Sequence, residues 1–145
     1  MNLALWLDRT ARAQPQRAAI AHGDAVWASY AEFAAMAARA ASWLHGQGVT
    51  AGERVVLFMP NRPEYLALMW GAWWAGAVVV PVNAKLHPRE MAWITGHSGA
   101  RLVLTDATHA AEVTAALFEA GRGVPVVADF AFLHDQALGG ADIAP

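Results

Sequence analysis

From Tyr65 to Ala84 the sequence runs twenty residues without a charged side chain, and this run limits what the chain can fold into. A stretch of about twenty apolar residues is long enough to cross a bilayer as a helix. A buried helix followed by a buried strand in an α/β protein looks much the same. The run itself favours the second reading. Gly71, Gly76 and Pro81 interrupt it, and Val78, Val79 and Val80 are β-branched, which suits a strand after Gly76. Gly76 to Met91 then reads as a helix end, an apolar strand at the centre of a sheet, a Pro-Val-Asn turn and a new helix from Pro88. No membrane span is expected.

The flanking sequence keeps the same rhythm. Leu3 to Ala13 predicts a short helix with Leu3, Trp6 and Leu7 on its buried face and Arg9 and Arg12 away from it. Ala18–His22 and Ala25–Ala28 flank His22-Gly23-Asp24, a hairpin signal. Ser29 and Glu32 have the spacing of a capping box. The helix they open carries Phe33, Met36, Ala37, Ala40, Trp43 and Leu44 at helical spacing until Gly46 and Gly48 stop it. Strands at Arg54–Met59, Arg101–Thr105 and Val124–Val127 then alternate with helices from Pro63 to about Ala75, from Pro88, and from Thr108 to Phe118. Strands alternating with helices predict an α/β fold with a mostly parallel sheet and flanking helices. At 145 residues the chain has room for a single domain. Leu138 to Pro145 reads as a linker.

Composition excludes several classes. Hydrophobic residues at 57% and charged residues at 15% describe a core-rich chain, not a disordered one. A net charge of -2 supplies no footprint for nucleic acid. With no cysteine there are no disulfides and no thiolate metal sites. Asp8 and Arg9 arrive before a signal-peptide apolar core could form, so a cytoplasmic location is expected.

Chemical signals are sparse. Neither a Gly-x-x-x-x-Gly-Lys-Ser/Thr loop nor a Gly-x-Gly-x-x-Gly fingerprint occurs. Gly96-His-Ser-Gly99 has a helix before it and a strand after it, the reverse of a nucleophile elbow, and reads as a helix C-terminal turn. His22, His45, His87, His97, His109 and His134 show no metal-ligand spacing and read as surface or capping residues. Trp70, Trp73 and Trp74 crowd one helix and fit packing on more than one face better than ligand stacking. Lys85, the only lysine, is either a solvated loop residue or a phosphate contact at the carboxyl end of a parallel strand.

In order and register, these segments resemble the start of the adenylate-forming acyl-CoA synthetases, the AMP-binding superfamily. Ser29-Tyr-Ala-Glu-Phe33 is similar to that family's Thr-Tyr-x-Glu-Leu element. Gly52-Glu-Arg-Val-Val-Leu-Phe-Met-Pro-Asn-Arg-Pro-Glu-Tyr65 resembles its Gly-Asp-Arg-Val-Ala-x-x-x-Pro-Asn-x-Pro-Glu-Phe stretch. Trp74-Ala-Gly-Ala-Val-Val-Val-Pro-Val-Asn83 resembles its Lys-Ala-Gly-Ala-x-x-x-Pro-Leu-Asn motif, and His97-Ser-Gly-Ala-Arg-Leu-Val103 continues the pattern. The resemblance runs from about residue 3 to residue 128.

It implies a ligase that joins a carboxylic acid to ATP as an acyl-adenylate, with Mg²⁺ assisting and pyrophosphate leaving. The acyl group then passes to coenzyme A, a step of fatty acid metabolism in many members. Pro81-Val-Asn83 favours this branch over amino-acid adenylation domains, which usually carry aspartate at the Asn83 position. The family's Gly-rich phosphate loop, ribose-binding aspartate and catalytic lysine lie beyond the matched region. The chain is therefore expected to be a single partial domain, with residues 1–137 an N-terminal subdomain of the AMP-binding fold and 138–145 a linker toward the phosphate loop. No catalytic or metal-binding residue is assigned, and the chain alone is expected to be inactive and to bind no cofactor tightly. A non-catalytic scaffold domain descended from such an enzyme is the alternative, and self-association through exposed apolar surface is anticipated. The one binding assignment the resemblance implies is Lys85 near the phosphates of coenzyme A, with Arg89, one helical turn away, as a helper. His87 replaces the family's frequent Thr or Ser cap, which is expected to weaken that cap by under about 1 kcal/mol.

Overall fold

The computed structural model describes residues 2–138 and 144–145. Helix α1 (Ala4–Ala13) leads into a hairpin of β1 (Ala18–His22) and β2 (Ala25–Ser29), followed by α2 (Tyr30–Gly46). Then come β3 (Arg54–Phe58), α3 (Pro63–Trp74), β4 (Val78–Val82), α4 (Pro88–Ser98), β5 (Leu102–Thr105), α5 (Ala110–Glu119) and β6 (Val126–Val127). Two 3₁₀ turns, Ala131–His134 and Gln136–Leu138, close the described chain. The linker expected at 138–145 falls mostly on residues 139–143, outside the described residues.

The four-stranded sheet is parallel, in the order β4-β3-β5-β6. Alternate residues of β3 serve two cores. Val55 and Leu57 join the larger cluster with residues of α2 and α3, whereas Val56 and Phe58 join a second cluster with residues of α4 and α5. The chain thus winds from β3 outward to β4 on one side, then back past β3 to β5 and β6 on the other. The direction reverses between β3 and β5, and this is the sheet's switch point.

Local chemistry explains the elements. Ser29 and Glu32 form the expected capping box: the Glu32 N–H donates to Ser29 Oγ at 3.3 Å, and the Ser29 N–H donates to the Glu32 carboxylate at 2.8 Å. Gly99 ends α4 in the left-handed conformation at φ 62°, as the Gly96–Gly99 turn predicted. Arg54, at the start of β3, donates to the carbonyls of Ser98 and Gly99 at 2.7 and 2.8 Å, so one guanidinium ties the end of α4 to the central strand. His87 does cap α4. Its Nδ1 accepts from the Arg89 N–H at 3.2 Å, and the His87 N–H donates to the Glu90 carboxylate at 2.9 Å. The ring nitrogen takes the place of the hydroxyl.

Two expectations change. The strand Val78–Val82 is not central but lies at the edge of the described sheet, pairing only with β3. Pro81 has no N–H to give a second neighbour, and Val78 is half exposed, both in keeping with an edge. On α1 the buried positions are Ala4 and Leu7, while Trp6 is 56% exposed and Leu3 is exposed too. The tryptophans of α3 pack as predicted. Trp74 is buried, and Trp70 meets Phe33 edge-on at 5.9 Å and Trp73 at 5.2 Å. Among the described residues no helix is long and apolar enough to cross a membrane.

Candidate functional site

At the carboxyl ends of β3, β4 and β5 the loops frame an open groove of about 650 Å³. Met59, Pro60 and Asn61 line it from the β3 loop, Pro81 to Lys85 from β4 and its loop, Tyr65 from α3 and His109 from the β5 loop. Strand ends hold this arrangement in place. The buried Thr105 hydroxyl donates to the Phe58 carbonyl at 2.6 Å, fastening β5 to β3 just below the groove. Asn83 folds its own loop, its Oδ1 accepting the Lys85 N–H at 2.9 Å.

Lys85 therefore lies where the sequence placed it, exposed on a loop at the mouth of a parallel-sheet crevice. Arg89 does not join it there. Its guanidinium is 3.6 Å from the Glu119 carboxylate across α4 and α5, and it lines a separate groove with Ala92, Trp93 and Arg122.

The groove also contains a pair that the sequence reading missed. Asp106 follows β5 directly, and its carboxylate oxygens lie 2.9 and 3.0 Å from Nδ1 of His109. The His109 N–H donates to the same carboxylate at 3.0 Å. The aspartate side chain is 7% exposed and the histidine 28%, so this is a half-buried pair and not the surface or capping histidine expected. The signal available beforehand was Asp-x-x-His directly after an apolar strand. On Asp106, burial pushes the carboxyl up, but the hydrogen bonds from the His109 ring and from the backbone N–H groups of His109 and Thr108 outweigh it. The group is held below its ordinary value of 3.8.

A depressed carboxyl stabilises the fold above its unfolded value and loses that contribution as pH falls through the folded one. The wild-type chain is therefore expected to be more stable than Asp106→Asn near neutrality. That gap should narrow as the pH is lowered below about 4. Urea midpoints of the two proteins between neutrality and pH 3 measure this, and a constant gap would contradict it.

A parallel sheet wound both ways, with a mostly apolar groove carrying a few polar side chains at its switch point, has the architecture in which α/β proteins bind ligands. The sequence profile described as AMP-binding enzyme matches residues 7–142. This chain belongs to that family, and it forms an N-terminal portion of the adenylate-forming fold. It is 39% identical over 121 residues to a feruloyl-CoA synthase of Amycolatopsis sp, covering 83% of this chain and 24% of that protein. A long-chain-fatty-acid–CoA ligase of Mycobacterium tuberculosis is 35% identical over 115 residues, 79% of this chain and 23% of the ligase. The solved fatty acyl CoA synthetase of Mycobacterium tuberculosis superposes with a TM-score of 0.87 at 29% identity, over 99% of this chain and 30% of that one. The chain spans about a quarter of the length of the curated relatives it matches.

Proposed function

We propose that this chain is the N-terminal part of an ATP-dependent acyl-CoA ligase. In the whole enzyme a carboxylic acid attacks ATP to give an acyl-adenylate and pyrophosphate. The thiol of coenzyme A then displaces AMP to give the thioester. The observation carrying this reading is the 39% identity over 121 residues with a feruloyl-CoA synthase. Within that reaction, residues 1–137 form a subdomain whose groove presents Lys85 to the phosphates of coenzyme A.

Among the described residues there is no group of three His, Asp or Glu side chains that could hold a metal ion. The chain's own part is to build the sheet and to offer Lys85, with Arg89 in support. By itself it activates no acid. The outer edge of β4, together with exposed Trp93 and Phe118, favours self-association of the isolated chain.

ATP–pyrophosphate exchange with a panel of aromatic and aliphatic acids tests both halves of the proposal. The isolated chain is expected to give no exchange, and a polypeptide continuing through the family's phosphate loop and catalytic lysine is expected to give it. Robust exchange from these 145 residues would sink the scaffold reading, and none from the longer polypeptide would sink the ligase reading.

A further inference from the structure

We infer that His109 is a second anion-binding residue of the groove, acting beside Lys85, and that its protonation gates the affinity. The inference rests on the proposed reading of this groove as a surface that meets phosphate groups. It begins with tautomers. An ionised Asp106 can only accept, so the ring proton of His109 is held on Nδ1, which lies 2.9 and 3.0 Å from the two oxygens. His109 lines the groove, and its Nε2 has no hydrogen-bond partner among the described residues. In the neutral ring that nitrogen is only an acceptor and offers an anion nothing. In the imidazolium it is a donor carrying positive charge.

Position supports the same reading. His109 comes from the β5 loop, Asn61 from the β3 loop and Lys85 from the β4 loop, so the two cationic groups flank the switch point from different strands. The other titratable groups near the ring are few. Tyr65 shares the groove, its phenol raised by burial, and Glu112 is exposed one turn along α5. β3 contributes only the Phe58 ring, edge-on at 5.9 Å. Asp106 engages Nδ1 and the backbone N–H of His109, not Nε2.

Sulfate is the probe, because its charge is constant across the histidine range. NMR of the 145-residue chain follows the His109 ring and the single lysine signal as sulfate is added at about pH 5.5 and about pH 8.5. Both signals are expected to move saturably with one dissociation constant, at least about fivefold weaker at the higher pH. His109→Gln is expected to remove that pH dependence. If Lys85 responds while His109 does not, or if His109→Gln keeps the pH dependence, the inference fails and the reading of Lys85 stands. If neither signal moves, both fall.

Discussion

Replacing Gly71 with alanine is expected to destabilise the fold by about 1–3 kcal/mol, against the usual direction of such a change. Within a helix, Gly→Ala ordinarily gains up to about 1 kcal/mol because alanine has the higher propensity. Gly71 lies in α3 where that helix crosses α2. A Cβ built there would come 2.3 Å from Cβ of Ala40 and 3.0 Å from the Ala37 carbonyl oxygen. Neither atom can swing away, since one is a methyl fixed to its backbone and the other is backbone itself. The helices must move apart, and Ala37, Ala40, Ala41, Ala67 and Ala72, all buried in the same core cluster, lose contact together. Gly46, the last residue of α2, supplies the control: a Cβ there meets nothing within 4 Å, so Gly46→Ala is expected to be neutral or mildly stabilising. Urea unfolding of the two variants decides between propensity and packing. Equal stability changes would mean that α2 and α3 do not cross this closely.

That crossing shows what kind of information a sequence carries. The alanines of α2 were legible as a stripe because helical spacing is local, and the cap at Ser29 and Glu32 was legible for the same reason. Which helix the stripe would meet, and that a glycine would sit at the contact, depends on residues more than thirty positions apart. Val78–Val82 was recognisable as a strand from its β-branched run, but apolarity reports burial and not order across a sheet, so its place at the edge emerged only with the pairing. Pro81, which has no N–H for a second neighbour, is consistent with that edge position.

The closing turns show the same limit. Nothing near Phe132 announces that its ring will stack on Trp43 at 4.3 Å and 5°, or that Arg39 will reach the Leu133 carbonyl at 2.9 Å. At the groove, Lys85 could be placed because it directly follows a strand and a turn. His109 had a local signal in Asp-x-x-His after a strand, but its place in the groove depends on the end of β3 and on the β4 loop, which are distant in sequence.

Lys85→Ala in the intact enzyme is expected to raise the KM for coenzyme A about tenfold or more, while leaving ATP–pyrophosphate exchange unchanged. The split follows from where the side chain is. Its amine hangs at the mouth of the groove, and its backbone N–H alone is spent on the Asn83 turn, so truncation costs the fold little. A hydrogen bond to a charged group is worth roughly 1.5–3 kcal/mol, which sets the expected loss at about tenfold or above. Lys85→Arg should retain most of the affinity, since charge at that position matters more than the two-pronged geometry of a guanidinium. Arg89→Ala should cost less than Lys85→Ala. Its guanidinium already rests 3.6 Å from Glu119 over a different groove, and it must leave that exposed pair, worth under about 1 kcal/mol, before it can help. Initial rates with coenzyme A varied at saturating acid and ATP measure each arm. An unchanged KM in Lys85→Ala removes the coenzyme A contact assigned to Lys85. A loss of exchange equal to the loss in KM would place Lys85 in adenylate formation instead.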